Sequence, residues 1–84
     1  MSPKEKSVWM LSVYNSQYED YKVQAIRTDL TEAQKEVLRE KKAILTRVYP
    51  MISVYTGYAS NGVIPEKDLE MTIVSNLETL LSML

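Results

Sequence analysis

A chain of 84 residues has room for one small domain. With 45% hydrophobic and 25% charged residues it has the make-up of a globular protein rather than a disordered one. Ten basic residues against eleven acidic ones leave a net charge of −1, which argues against a nucleic-acid-coating protein, and the lack of Cys and His excludes disulfides, thiol chemistry, the usual zinc sites and His-based catalysis.

No run of residues approaches the ~18–20 apolar positions that span a bilayer, so no membrane association is expected. The apolar run from Val8 to Tyr14 is short and interrupted by Ser12, and no small-residue cleavage site follows it. It is therefore not read as a secretory signal, and a cytoplasmic location is expected.

Two Gly and three Pro punctuate the chain. That is too few for a β-rich fold, which needs a turn every 8–12 residues or about that, so helices are expected. The first begins near Pro3, a good first-turn residue. Leu11, Tyr14, Tyr18, Tyr21 and Ala25 then recur at spacings of three and four, which is one helical face. Tyr21 to Ile26 also alternates as a strand does, so helix and edge strand both stay open there.

Thr28-Asp29-Leu30-Thr31 marks the first boundary. Thr31 with Gln34 three residues on has the form of a capping box, and Glu32 sits at the positive end of the coming helix dipole. From Thr31 to about Tyr49 two apolar rows run side by side: Val37, Ile44, Val48 and Met51, and Leu38, Leu45 and Ile52. Together they make a stripe wide enough to touch two neighbours. Glu32, Lys35, Glu36, Arg39 and Glu40 form the wet face. Pro50 falls inside the pattern and removes the hydrogen bond to the carbonyl of Thr46, at a cost of about 3 kcal/mol in a helix interior. The rows nevertheless continue through Met51, Ile52 and Tyr55. The middle helix is therefore expected to be kinked or broken at Pro50, and to end at Asn61-Gly62.

Pro65 is expected to open the third helix, with Glu66 and Asp68 in its first turn. Its core row is Leu69, Ile73, Leu77, Leu80 and Leu84, widened by Met71, Val74 and Leu81. The expected architecture is all-α: one domain, residues 1–84, of three helices. Three wide apolar stripes exceed what a single core of this size can enclose, so a homo-oligomer is expected. Leu77, Leu80, Leu81 and Leu84 stay apolar to the last residue and are the expected subunit contact.

Few residues carry a pattern suited to chemistry. Without His or Cys, a nucleophile would need a Ser–Lys pair or a carboxylate base. The serines are scattered, and Glu19 with Asp20, and Glu66 with Asp68 and Glu70, are placed as solvated charges or dipole partners. Gly57 and Gly62 make no phosphate-cradling loop, and no carboxylate spacing suits an oxygen-ligated metal. No catalytic residue, metal or cofactor is expected.

The tyrosines and one basic segment stand out instead. Tyr14, Tyr18 and Tyr21 share a helix face, while Tyr49, Tyr55 and Tyr58 cluster around Pro50. Tyrosine buries area and keeps a polar hydroxyl, which suits a core, a subunit contact or a ligand surface. Lys35, Arg39, Lys41, Lys42 and Arg47 face two carboxylates, Glu36 and Glu40, so this stretch carries +3, whereas Tyr49 to Leu84 carries −3. Such asymmetry steers an acidic ligand, or joins one subunit's basic face to another's acidic helix. Lys41 lies a turn before Ile44 and Leu45 at the edge of the apolar stripe, where its stem can snorkel.

From Leu30 onward the chain resembles the small helical phage proteins that sequester the cyclic oligonucleotide signals of bacterial antiphage immunity. The likeness rests on Leu30-Thr31-Glu32-Ala33, the amphipathic helix with Lys41 and Lys42, the break, and the apolar terminal helix. It implies an oligomer of helical hairpins with ligand pockets between subunits. The Tyr-rich N-terminal segment departs from that pattern.

Two functions follow as expectations. The first is a non-enzymatic helical binding protein that self-associates and acts through a protein partner, as an inhibitor or regulatory subunit does. The alternative is an oligomeric sponge for anionic cyclic nucleotides, held by Tyr14, Tyr18 and Tyr21 and by Lys35, Arg39, Lys41, Lys42 and Arg47. Nucleic acid is disfavoured by the net charge and by the lack of a recognition-helix motif.

Overall fold

The structure, a computed structural model, describes residues 1–83. The described residues form three helices and no strand: α1 (Pro3–Ala25), α2 (Glu32–Ser60) and α3 (Lys67–Ser82). The fold is the expected all-α one.

Local chemistry accounts for the helix ends. Ser2 caps α1: its hydroxyl accepts from the Glu5 amide, and the Glu5 carboxylate accepts from the Ser2 amide. Pro3 takes the first turn, where its missing N–H has no partner to lose. Thr31 and Gln34 form the same reciprocal pair at the start of α2, as the sequence implies. Asn61 ends α2, and Gly62 follows at φ 72°, a conformation an L side chain rarely adopts. α3 starts two residues later than Pro65 suggests. Pro65 is itself buried, so it docks the α2–α3 connection rather than opening the helix.

Two expectations about the elements resolve here. Residues 21–25 continue α1, which settles the choice between helix and edge strand. α2 runs through Pro50 as one element, so the break is absent. Pro50 faces solvent and Thr46 is exposed, which leaves the freed carbonyl open to water. Val48, Ile52 and Tyr55 hold the helix from the other side, each fully enclosed.

α1 and α2 form an antiparallel hairpin, with Tyr14 against Tyr49 and Asp20 against Lys41. α3 folds back along the second half of α2, with Glu70 on Tyr55 and Asn76 on Arg47. The core is Met10, Ile44, Leu45, Val48, Ile52, Tyr55, Ile73, Leu77 and Leu80. Leu77 and Leu80 are thus wholly enclosed within one chain and are core residues, not an exposed subunit contact. Leu81 remains half-exposed, and Leu84 lies outside the described residues.

The expected face of α1 holds in part: Leu11, Tyr14 and Tyr21 are half-buried against the core. Met10 and Ser7 are its buried residues, whereas Tyr18 is 41% exposed and Ala25 faces solvent. Val8, Trp9, Met10 and Leu11 occupy four successive positions and so point all round the helix, leaving its buried face for the other helices to select.

The helix lengths differ, and this positions the site. At 1.5 Å per residue α2 is about 44 Å long and α3 only about 24 Å. The molecule measures 47 × 19 × 19 Å. Beyond the end of α3 the α1–α2 hairpin therefore continues without a third helix over it.

Candidate functional site

A cleft of about 640 Å³ occupies the place where α3 stops. Gln17, Asp20 and Gln24 line it from α1, Val37, Leu38 and Lys41 from α2, and Leu81 and Met83 close its inner end. Leu30, Ala33 and Gln34 complete the outer end, with Ser16 on the α1 wall. Its apolar floor continues the core: Leu38 and Leu45 share a row of α2, and Leu45 is buried while Leu38 is half-buried.

Lys41 is the unusual member. It stands one turn after Val37 and one turn before Leu45, so the helix period puts it on the core face. Its side chain is only 5% exposed. Nζ donates to Asp20 Oδ2 at 3.5 Å, the outer limit of a hydrogen bond, and Asp20 is itself 52% exposed. Ser16 lines the same cleft, but the ammonium bonds the carboxylate and not that hydroxyl.

A second groove of about 360 Å³ lies on the opposite side of the α1–α2 seam. It brings together Tyr21, Lys35, Arg39 and Lys42, four of the expected binding residues, and adds Arg27. Most of its charge is already matched. Arg27 donates from Nε and Nη2 to the two oxygens of Asp29 at 3.0 and 2.9 Å. Lys35 pairs with Glu32 at 3.3 Å, and Arg39 with Glu36 at 2.6 Å. Among the described residues, Lys42 is the cation of this groove that makes no ion pair. The remaining expected cations lie elsewhere: Lys41 in the first cleft, and Arg47 on Asn76 of α3 at 2.8 Å.

The tyrosines divide in the same way. Tyr14 stacks on Tyr18 with centroids 6.0 Å apart and meets Tyr49 at 5.2 Å. Burial within this trio pushes the Tyr14 phenol above its usual range. Lys22 sits 5.0 Å over the Tyr18 ring. Tyr49, Tyr55 and Tyr58 do not cluster: Tyr49 joins the α1 tyrosines, Tyr55 is in the core, and Tyr58 is exposed. Tyr49 and Tyr58, nine residues apart on one helix, point to opposite sides.

Sequence reasoning singled out neither the Asp20–Lys41 pair nor the lining amides Gln17 and Gln24, and it noticed Gln34 only as a helix cap. The available signal was Lys41 itself, a charge inside two apolar rows. Arg27 carried none, since it lies past the end of α1 and reaches the groove only through the turn.

Comparison of the chain with protein-family models, with curated proteins and with solved structures yields no match.

Proposed function

We propose that this chain is a non-enzymatic binding protein that works as a self-associated pair, joined through the cleft beyond the end of α3. The observation that carries this reading is the unfilled length of the α1–α2 hairpin. Its groove prolongs the hydrophobic core, and half-exposed Leu81 stands at the junction. Helix pairs bury such a stripe by acquiring further helices, and a second hairpin laid across the groove completes a four-helix arrangement. The lining is apolar side chains, amides, the Ser16 hydroxyl and one ion pair, and Lys41 is bonded to Asp20 rather than to Ser16, a make-up suited to packing rather than to bond-making.

Sedimentation equilibrium tests it. A mass well above 9.7 kDa at micromolar concentration is expected. Leu81→Glu sets a charge on the rim of the cleft and shifts the population towards the single chain without unfolding it, because that side chain is already half in solvent. A wild-type mass near 9.7 kDa throughout the concentration range overturns the reading.

The second groove favours another reading, an anionic nucleotide held against Tyr21 by Lys42 and the neighbouring cations. Such a ligand must displace Asp29, Glu32 and Glu36 from the cations they hold, which is why this reading comes second. Calorimetric titration with a cyclic dinucleotide checks it. Heat of binding that disappears in Tyr21→Ala and Lys42→Ala supports it, and no heat in the wild type rejects it.

A further inference from the structure

We propose that the cleft is closed by a second copy of this chain across a two-fold axis, with Asp20 of each copy reaching Lys41 of the other. The proposal rests on the self-association reading above and specifies its chemistry.

The starting point is an incompletely satisfied buried cation. An ammonium has three N–H donors, and the enclosed Lys41 has a single partner at the limit of bonding distance. A buried charge held this loosely is costly unless further acceptors complete its shell. In the open cleft water supplies such acceptors, and whatever covers the cleft and expels that water has to replace them.

The charge pattern selects the occupant. The cleft holds one cation and one carboxylate, with Gln17, Gln24 and Gln34 beside them; Gln24 Oε1 already accepts from Arg27 and Gln34 Oε1 from the Thr31 amide, while their NH2 groups remain to donate. An acidic occupant that satisfied Lys41 would be set against Asp20, and a basic one would meet the reverse conflict. A surface carrying both signs and neutral amides is complementary to itself. Across a two-fold axis residue i meets j and j meets i, so each half-exposed Asp20 is brought to the other copy's Lys41. The four groups then alternate in sign about the axis, and Val37, Leu38 and Leu81 from both copies shut out water around them. Charge pairs placed in this way set register as much as affinity.

The test mixes two charge-reversed chains. Lys41→Glu alone opposes two carboxylates in its own homodimer, and Asp20→Lys alone opposes two cations. Each is expected to raise the dimer dissociation constant by about tenfold or more. In an equimolar mixture every contact between copies regains opposite charges, so native mass spectrometry is expected to find the mixed dimer well in excess of random pairing. A mixture of Lys4→Glu with Glu66→Lys, exposed at the far end of the bundle, controls for attraction by net charge alone. Should Lys41→Glu fail to fold, Lys41→Met keeps the volume and still prefers the Asp20→Lys chain over itself. A dimeric wild type whose reversed chains show no preference for one another overturns the exchange. A monomeric wild type overturns the self-association reading beneath it.

Discussion

A phenol enclosed as Tyr55 is needs a partner for its hydroxyl. It finds Glu70 Oε1 at 2.7 Å, and Lys6 Nζ reaches the same carboxylate at 3.0 and 3.2 Å. One residue from each helix thus meets at a single group. The Tyr55 hydroxyl, and then Lys6, hold the Glu70 carboxyl below its usual 4.5, while burial and the adjacent carboxylate push Tyr55 up to about 12. Both shifts carry a pH consequence. The lowered Glu70 contributes stability that is complete above its ordinary value of 4.5 and is lost as pH falls through the folded value. The raised Tyr55 contributes stability that is complete below its ordinary 10.0 and is lost as pH rises towards 12. Urea melts across pH are expected to show both limbs. Tyr55→Phe is expected to cost about 1–2 kcal/mol near neutrality, to abolish the alkaline limb at this site and to flatten the acid one. Unchanged limbs in that variant would show that the cluster does not set the pH response.

At the scale of the element, α1 and α2 contrast. α2 carries two adjacent apolar rows, and its buried residues follow them, from Ile44 and Leu45 to Ala59. α1 has no comparable segregation, and its partners decide that Met10 is enclosed and Tyr18 is not. Met10→Ala is therefore expected to cost about 2–5 kcal/mol, the range for emptying a packed site, and Tyr18→Ala distinctly less. Equal thermal shifts for the two would contradict the orientation of α1. Pro50 tests the continuity of α2. Pro50→Ala restores a donor towards the Thr46 carbonyl on the exposed side and relieves an interior proline, so stability is expected to rise by about 1–3 kcal/mol, less whatever the more flexible unfolded chain recovers. A lower melting temperature would mean that the helix depends on its proline.

The whole molecule is three helices thick at one end and two at the other. The closed end holds the core, from Met10 to Leu80, while the hairpin end has the cleft on one side of its seam and the basic groove on the other. Two helices alone bury little and open readily, so protection there depends on what covers the groove. Hydrogen exchange at residues 17–25 and 30–41 is expected to slow as protein concentration rises, with residues 44–59 and 73–80 unaffected while the core stays closed. Exchange at the hairpin end that is independent of concentration would count against a second copy as its cover.

The sequence by itself determined the helical class, the capping box of α2 and the places where α2 starts and stops. These depend on neighbours within a turn or so: Thr31 with Gln34, Asn61 with Gly62, and apolar rows with a helical period. It also brought the basic residues to notice, and the Glu36–Arg39 spacing already implied the pair that forms, whereas the Glu32 partner of Lys35 lay unremarked in the same stretch. Tertiary structure alone decided that Met10 rather than Tyr18 is the enclosed residue of α1, that Lys41 is buried, and that Leu77 and Leu80 belong to the core of one chain. Only the relative lengths of packed helices could create a cleft where α3 ends, and only the antiparallel hairpin could set Asp20 beside Lys41, 21 residues away. The physical reason is range. Caps and periodicity are satisfied within a helix, whereas burial is a competition among all three helices for the same apolar surface.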